Sequence, residues 1–253
     1  MSEGAESAMR VIRLLLEFDG TDFHGWQHQP GLRTVQGVLT QALESMTQES
    51  HLLRSSSRTD AGVHARAMPV MFKTERDIPP LGLVRGLNGA LPRDIAVLDA
   101  LEMPADWDPR WNSLGKIYIY RIRTNPIPSP HEARFVWQMP RPLDIAAMQE
   151  GAKHFLGTHD YSAFRAAECD SVSTERNMWQ VDVKRFDDEV RVRVHANAFM
   201  RNMVRIIVGT LMEVGVGRFA PGDVAEILAS GDRTRAGRTA PPQGLCLSEV
   251  FYE

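Results

Sequence analysis

The sequence predicts an α+β fold, and two observations lead to that expectation. Its first half reads strand, helix, strand, strand, helix, strand, and its second half again mixes alternating strands with helically spaced stretches. A chain of 253 residues is long enough for one large domain or two of ordinary size, with ample core.

The elements follow in order. Val11–Phe18 is apolar and strand-like, and it runs into a turn-rich loop, Asp19 to Gln29, that carries Phe23 and Trp26. Thr34 suits the cap of a helix whose apolar positions Val35, Val38, Leu39, Ala42, Leu43 and Met46 keep the helical period. A loop from Arg54 to Arg66 leads into a strand over Ala67–Lys73. Pro80 fits the first turn of a short helix reaching Asn88, and Ile95–Leu101 is strand-like. This order resembles a ferredoxin-like half.

Residues 102–112, with Pro104, Trp107, Pro109 and Trp111, form a joint. Leu114–Thr124 alternates, with Lys116, Tyr118, Tyr120 and Ile122 on one face. A Pro-rich loop at 126–130 precedes a helix expected over Asp144–Leu156 and stopped by Gly157. A polar loop follows at Asp160–Arg165. A hairpin comes next, Arg176–Phe186 with Val190–Ala196, turning at Asp187-Asp188. Ala198–Val214 is apolar on nearly every face, which predicts a buried helix. A short helix capped near Asp223 and stopped at Gly231, an arginine-bearing loop (Arg233, Arg235, Arg238) and a strand over Leu245–Phe251 complete the chain.

The expected architecture is thus two ferredoxin-like (RRM-like) α/β halves, joined through a mostly antiparallel central sheet with helices on one side. The expected organisation is a disordered stretch at 1–9, an N-terminal α+β domain at 10–105 and a C-terminal α+β domain at 106–253.

Composition narrows the function. Formal charge is −3, so overall basicity does not announce a polyanion partner. Of the 29 cationic side chains all but Lys73, Lys116, Lys153 and Lys184 are Arg, the side chain suited to bidentate phosphate contacts and to stacking on bases. Cys169 and Cys246 stand far apart without metal-ligand spacing, which fits a reducing compartment. The N-terminus lacks the apolar core of a signal peptide and no stretch reads as a membrane span, so a soluble cytoplasmic protein is expected. Phosphate-cradling, dinucleotide-binding, HExxH and paired CxxC motifs are all missing, so any chemistry is expected to rest on side chains alone.

One loop stands out: Arg54-Ser-Ser-Ser-Arg58-Thr59-Asp60-Ala61-Gly62-Val63-His64-Ala65-Arg66. Asp60 lies in it between small residues, and Gly62 allows a tight turn. An Asp in such a place often only hydrogen-bonds its own backbone. A carboxylate can also attack electrophilic carbon, provided it stays ionised, and a nearby guanidinium favours that form. Arg205 lies in the apolar 198–214 segment, where a lone charge costs several kcal/mol, so a carboxylate or a set of carbonyls must meet it. Asp60 is the candidate carboxylate, and carbonyls of a neighbouring element are the alternative. His64 reads as structural, since nothing near it in sequence sets up a relay to a nucleophile.

The string Arg58-Thr-Asp-Ala-Gly-Val-His64 resembles the active-site signature of the bacterial tRNA pseudouridine synthase A family. So do Asp19-Gly20-Thr21, Gly25-Trp26-Gln27, Val35-Gln36, Lys116-Ile-Tyr118-Ile-Tyr120, Asp160-Tyr-Ser-Ala-Phe164-Arg165 and Asn197-Ala-Phe199. Met203-Val-Arg205-Ile-Ile-Val-Gly209 and Ala240-Pro-Pro-Gln-Gly244-Leu245-Cys-Leu247 extend the likeness, which covers roughly residues 11–252. The resemblance implies isomerisation of uridine to pseudouridine at positions 38, 39 and 40 of the tRNA anticodon arm. It implies that Asp60 is the nucleophile, Tyr118 stacks on the base, Arg205 pairs with the carboxylate and Arg58 helps open the RNA stem. It further implies a homodimer with the tRNA lying across both subunits. Leu245, Phe164 and Arg201 are expected beside Tyr118 in binding substrate, and Arg191, Arg193, Arg233 and Arg235 on the RNA backbone. Ser57 stands where that family commonly has Gly, and Pro109 where it commonly has a small residue.

Two other readings compete. His24, His28, Asp60 and His64 could serve a metal-dependent hydrolase, although the glycines around them argue against a shared helix face. A non-catalytic RNA-binding module could use the same mixed sheets.

Overall fold

A computed structural model describes residues 9–169 and 171–253. Apart from Met9, the segment expected to be disordered lies outside the described residues. The chain divides into two compact units, one running to Ser113 and including Tyr252–Glu253, the other Leu114–Phe251.

The first unit contains β1 (Arg10–Phe18), α1 (Val35–Thr47), β2 (Arg54–Ser55), β3 (His64–Thr74), α2 (Pro80–Ala90) and β4 (Ile95–Met103). Its sheet runs β4-β1-β3, antiparallel throughout, with β2 added on β3. β1 is central, which is why it is apolar almost without interruption: Ile12, Leu14 and Leu16 are wholly buried. Val11 joins Met71 and Trp107 in a separate cluster with Met103 and Tyr252. α1 buries Val35, Leu39, Ala42 and Leu43, a helical stripe. It starts where expected because the Thr34 hydroxyl accepts the backbone N–H of Gly37 at 3.2 Å. Thr34 is buried, and Thr34→Ala removes both its packed hydroxyl and this cap. A loss of about 1–2 kcal/mol is expected in the urea-induced unfolding of the protein.

The second unit contains β5 (Gly115–Arg123), β6 (Trp137–Gln138), α3 (Ile145–Lys153), β7 (Gly157–Asp160), β8 (Glu175–Phe186), β9 (Glu189–Ala196), α4 (Met203–Gly215), α5 (Asp223–Ser230) and β10 (Leu245–Phe251). Its strands run β10-β5-β9-β8-β7 with antiparallel neighbours, and β6 pairs parallel to β5. Val190, Val192 and Val194 are fully buried, as their alternation with Arg191, Arg193 and His195 requires. Asp187, at a φ of 51°, turns the hairpin, a left-handed conformation that Asp tolerates. The fold is mixed α+β with mostly antiparallel sheets, as expected from the element order.

The differences from expectation are local. α3 ends at Lys153, four residues before Gly157, because Phe155 and Leu156 close short turns onto Ala152 and Lys153. Gly157, at a φ of 96°, opens β7 instead. The polar loop after it holds a 3₁₀ turn, Ser162–Phe164, and buries Tyr161 and Phe164 completely. α4 starts at Met203, since Asn202 adopts the left-handed conformation with a φ of 62°. Residues 198–202 are therefore loop, and Arg205 lies in the first turn of α4 rather than midway along a helix. Among the described residues no helix is long and apolar enough to cross a membrane.

Candidate active site

In the first unit, the loop carrying Asp60 is tied to the loop after β1 by backbone bonds on both sides of the acid. Trp26 N–H donates to Thr59 O at 3.1 Å, and Gly62 N–H donates to Phe23 O at 3.2 Å. Val63 N–H closes a turn onto Asp60 O at 3.1 Å. Two glycines permit the approach. A Cβ on Gly20 would lie 2.0 Å from Val63 O, and one on Gly25, at a φ of 85°, would lie 2.7 Å from Thr59 O. These contacts explain why Asp19-Gly20 and Gly25-Trp26 are needed near a loop distant in sequence.

His64 is buried, and its Nδ1 accepts Gly20 N–H at 3.0 Å, with Asp19 Oδ1 3.2 Å away. Its place is structural, pinning the two loops together at the start of β3. Among the described residues no three His, Cys, Asp or Glu side chains are grouped to hold a metal ion. The arrangement that the hydrolase reading needs from His24, His28, Asp60 and His64 is not assembled. Arg58 is exposed, and nothing among the described residues accepts from its guanidinium. Its donors face solvent two residues from Asp60.

In the second unit, Tyr118 lies on β5 between Val194 of β9 and Leu247 of β10. Its ring is 7% exposed and meets Phe199 edge-on at 5.1 Å, which fixes the ring plane. Leu245, buried, stands opposite the next inward residue of β5, Tyr120. Burial raises the Tyr120 phenol far above its ordinary range, opposed by Arg205 and Arg238. The neutral hydroxyl donates to Pro241 O at 2.6 Å. Gly244 passes beneath that ring so closely that a Cβ would lie 2.5 Å from Tyr120 Cε1.

Arg205 is met partly by the carbonyl alternative. Its Nε donates to Ala240 O at 2.7 Å while Ala240 N–H donates to Arg205 O at 3.0 Å. Its Nη1 donates to Asn202 Oδ1 at 2.7 Å, so the residue that starts α4 spends its side chain on the guanidinium rather than on a cap. Further along, a Cβ on Gly209 would sit 1.7 Å from Arg238 O, and Gly237 N–H donates to Thr210 Oγ1 at 2.9 Å. Residues 237–244 thus form a strap lying directly on α4 and β5. The sequence blocks around Gly209 and Gly244 mark these positions without revealing that both are close-approach glycines.

Several expected contacts have protein partners already. Phe164, expected to bind substrate, is wholly buried and packs against Phe155 and Tyr161. Arg233 spends its guanidinium on Ala236 O, Gly237 O and Thr239 Oγ1, bracing the strap. Arg235 pairs with Glu226, and Arg191 pairs with Glu189 while lying over Phe186. Arg193 Nε is buried without a partner among the described residues, and Arg193 assists burial in lowering the pKa of His195. Arg201 is half-exposed and reaches Glu168 at 3.3 Å.

Residues 15–112 and 152–253 match the family model described as tRNA pseudouridine synthase. Asp60 and Arg58 fall in the first matched stretch and Arg201, Arg205 and Leu245 in the second, while Tyr118 lies between them. The tRNA pseudouridine synthase A of Geotalea daltonii is 47% identical over 96% of this chain and 100% of its own. That of Geotalea uraniireducens is 46% identical at the same coverage, and that of Myxococcus xanthus 46% identical over 96% of this chain and 92% of its own. A chain of a solved Cbf5-Nop10-Gar1 complex aligns with 94% of this one and 59% of its own length, at 12% identity and a TM-score of 0.37. At that level the likeness bears on neither fold nor chemistry.

A mixed α+β chain with these matched stretches falls in the class of pseudouridine-forming isomerases. It belongs to the tRNA pseudouridine synthase family.

Proposed function

We propose that the protein isomerises uridine to pseudouridine at positions 38, 39 and 40 of the tRNA anticodon stem-loop, with Asp60 as nucleophile. The observation that carries this reading is Asp60 itself, held by backbone bonds at the tip of a glycine-turned loop inside the matched stretch. A uracil in a stem must first be unstacked and flipped, at a cost of a few kcal/mol. Arg58, exposed with its donors unused, is suited to fill the space the base leaves. Tyr118, its plane fixed by Phe199, offers a stacking surface that returns about 1–3 kcal/mol.

Arg205 is the guanidinium proposed to orient the attacking carboxylate. The first turn of a helix also favours an anion. Asp60 then attacks ribose C1′, attacks ring C6, or promotes elimination of the base. Each route breaks the N1–C1′ bond, turns the base in place, joins C5 to C1′, breaks any bond formed to Asp60, and ends with the C5 hydrogen lost as a proton and N1 protonated. Asp60, Arg58, Arg205 and Tyr118 are the proposed catalytic group. Leu245 and Arg201 bind substrate, no cofactor takes part, and the enzyme is a cytoplasmic homodimer with tRNA across both subunits.

Release of tritium from tRNA carrying C5-labelled uridine tests the reading, because with no alkyl donor in the assay isomerisation is the reaction that liberates that hydrogen. Release is expected from a wild-type transcript and is expected to disappear when the uridines at 38–40 are replaced by cytidine. Binding without release would leave a non-catalytic RNA-binding module. Arg205→Met is expected to lower turnover by about 10²-fold or more. Arg205→Lys separates charge from geometry, since a lysine keeps the cation but cannot bond Ala240 and Asn202 together. Turnover unchanged in Arg205→Met would remove Arg205 from the catalytic group.

A further inference from the structure

Arg205, Gly209, Met212, Glu213 and Val216 follow one another at helical spacing along one side of α4 and the turn that ends it. About 10 Å along the helix from Arg205, that side floors a cavity of about 330 Å³. Met212 and Val216 are its apolar base, and Arg141, Arg218 and Arg238 converge on it. The Arg238 guanidinium lies 4.7 Å from the ring centroid of Trp137, a buried indole. A guanidinium held over an indole by its face keeps its N–H donors available for an anion. Among the described residues nothing accepts from Arg238 or from the exposed guanidinium of Arg141. Arg218 is bound to Glu213 at 2.8 Å, so three guanidiniums face one carboxylate.

The end of a helix is normally unfavourable to an anion, because its last carbonyls point outward. Here those carbonyls are occupied. Val216 N–H takes Met212 O, Arg218 and Phe219 N–H take Glu213 O, Gly217 N–H takes Val214 O, and Asp144 N–H takes Gly215 O. What remains is a concave surface with unspent cationic donors. It is continuous with Arg205 in two ways, along α4 and through Tyr120, whose phenol feels both Arg205 and Arg238.

We infer that this cavity is a phosphate subsite that holds a backbone phosphodiester of the RNA substrate, a few nucleotides from the reacting uridine, through Arg238 and Arg141. The inference rests on the reading that Arg205 marks the reacting end. The apolar floor suits the sugar attached to that phosphate, and the paired Arg218 contributes field rather than direct bonds.

The test is equilibrium binding of unmodified tRNA across a series of potassium chloride concentrations, by wild type and by the double variant Arg238→Gln/Arg141→Gln. The slope of log affinity against log salt is expected to fall in magnitude by about one, as for the loss of one neutralised phosphate. Arg238→Lys retains the charge and is expected to retain the slope. Arg141→Gln alone disturbs no packing, so it reads the site even if loss of the Trp137 stack harms folding, and its slope is expected to shift in the same direction. An unchanged slope in folded Arg141→Gln and in the double variant overturns the subsite. Inorganic pyrophosphate is the second probe. Arg238-dependent binding of pyrophosphate combined with an unchanged tRNA slope would assign the cavity to free phosphate compounds and overturn the RNA assignment. Tritium release by wild type is read separately: a changed slope without release supports the subsite and sinks the isomerase reading, and release with an unchanged slope does the reverse.

Discussion

Asp60→Asn is expected to abolish tritium release from C5-labelled tRNA, by about 10⁴-fold or more, while the tRNA still binds. The substitution keeps the shape of the side chain and removes the anion. A carboxamide oxygen is too weak a nucleophile to add to C1′ or C6 and too weak a base to promote elimination, so all three routes fail together. The loop itself should survive. Among its ties are the backbone bonds from Trp26 to Thr59, from Gly62 to Phe23 and from Val63 to Asp60, and a carboxamide at position 60 leaves all three in place. Circular dichroism and the thermal midpoint are therefore expected to stay near wild type, which separates lost chemistry from lost structure. Turnover retained in Asp60→Asn would mean that another group attacks the substrate.

How much of this could be read from the sequence depended on the range of the interaction. Strands with period-two alternation, such as Glu189–Ala196, and helices with a clear cap, such as Val35–Thr47 behind Thr34, were legible because the signal lies within a dozen residues. The start of α4 was not. Its apolar run continues through Phe199 and Met200, and only a backbone torsion at Asn202 separates loop from helix. The strand Gly157–Asp160 was hidden for a similar reason: four polar residues carry no alternation, and they pair only because β8 is there to receive them. Asp60 was legible through the string around it. The partners of Arg205 were not, because Ala240 contributes a carbonyl, and a carbonyl leaves no trace in residue identity. The contacts of Phe164 and Arg233 were hidden even though their partners lie within ten residues, because ring packing and backbone acceptors leave no periodic signal.

Gly209→Ala tests that last point at the level of stability. In an exposed helix interior the substitution would help, because alanine is better than glycine by roughly 1 kcal/mol. Gly89, exposed in the last turn of α2, has nothing within 4 Å of the point a methyl carbon would occupy, and Gly89→Ala is expected to stabilise the protein by up to about 0.5 kcal/mol. At Gly209 the new methyl would fall 1.7 Å from the carbonyl oxygen of Arg238. That oxygen belongs to backbone, so relief requires the strap and α4 to move apart. Overpacking of this kind costs about 3 kcal/mol or more, which outweighs the gain in helix propensity. The thermal midpoint is expected to fall by roughly 6–12 °C. Moving the strap also shifts Ala240, one helical turn away, and with it the carbonyl that directs Arg205. Turnover measured well below the new midpoint is therefore expected to fall in the same direction as in Arg205→Lys, because both changes release the same guanidinium from its hold. A Gly209→Ala enzyme as stable and as active as wild type would show that the strap can leave α4 without consequence, and the account of how Arg205 is aimed would fail with it.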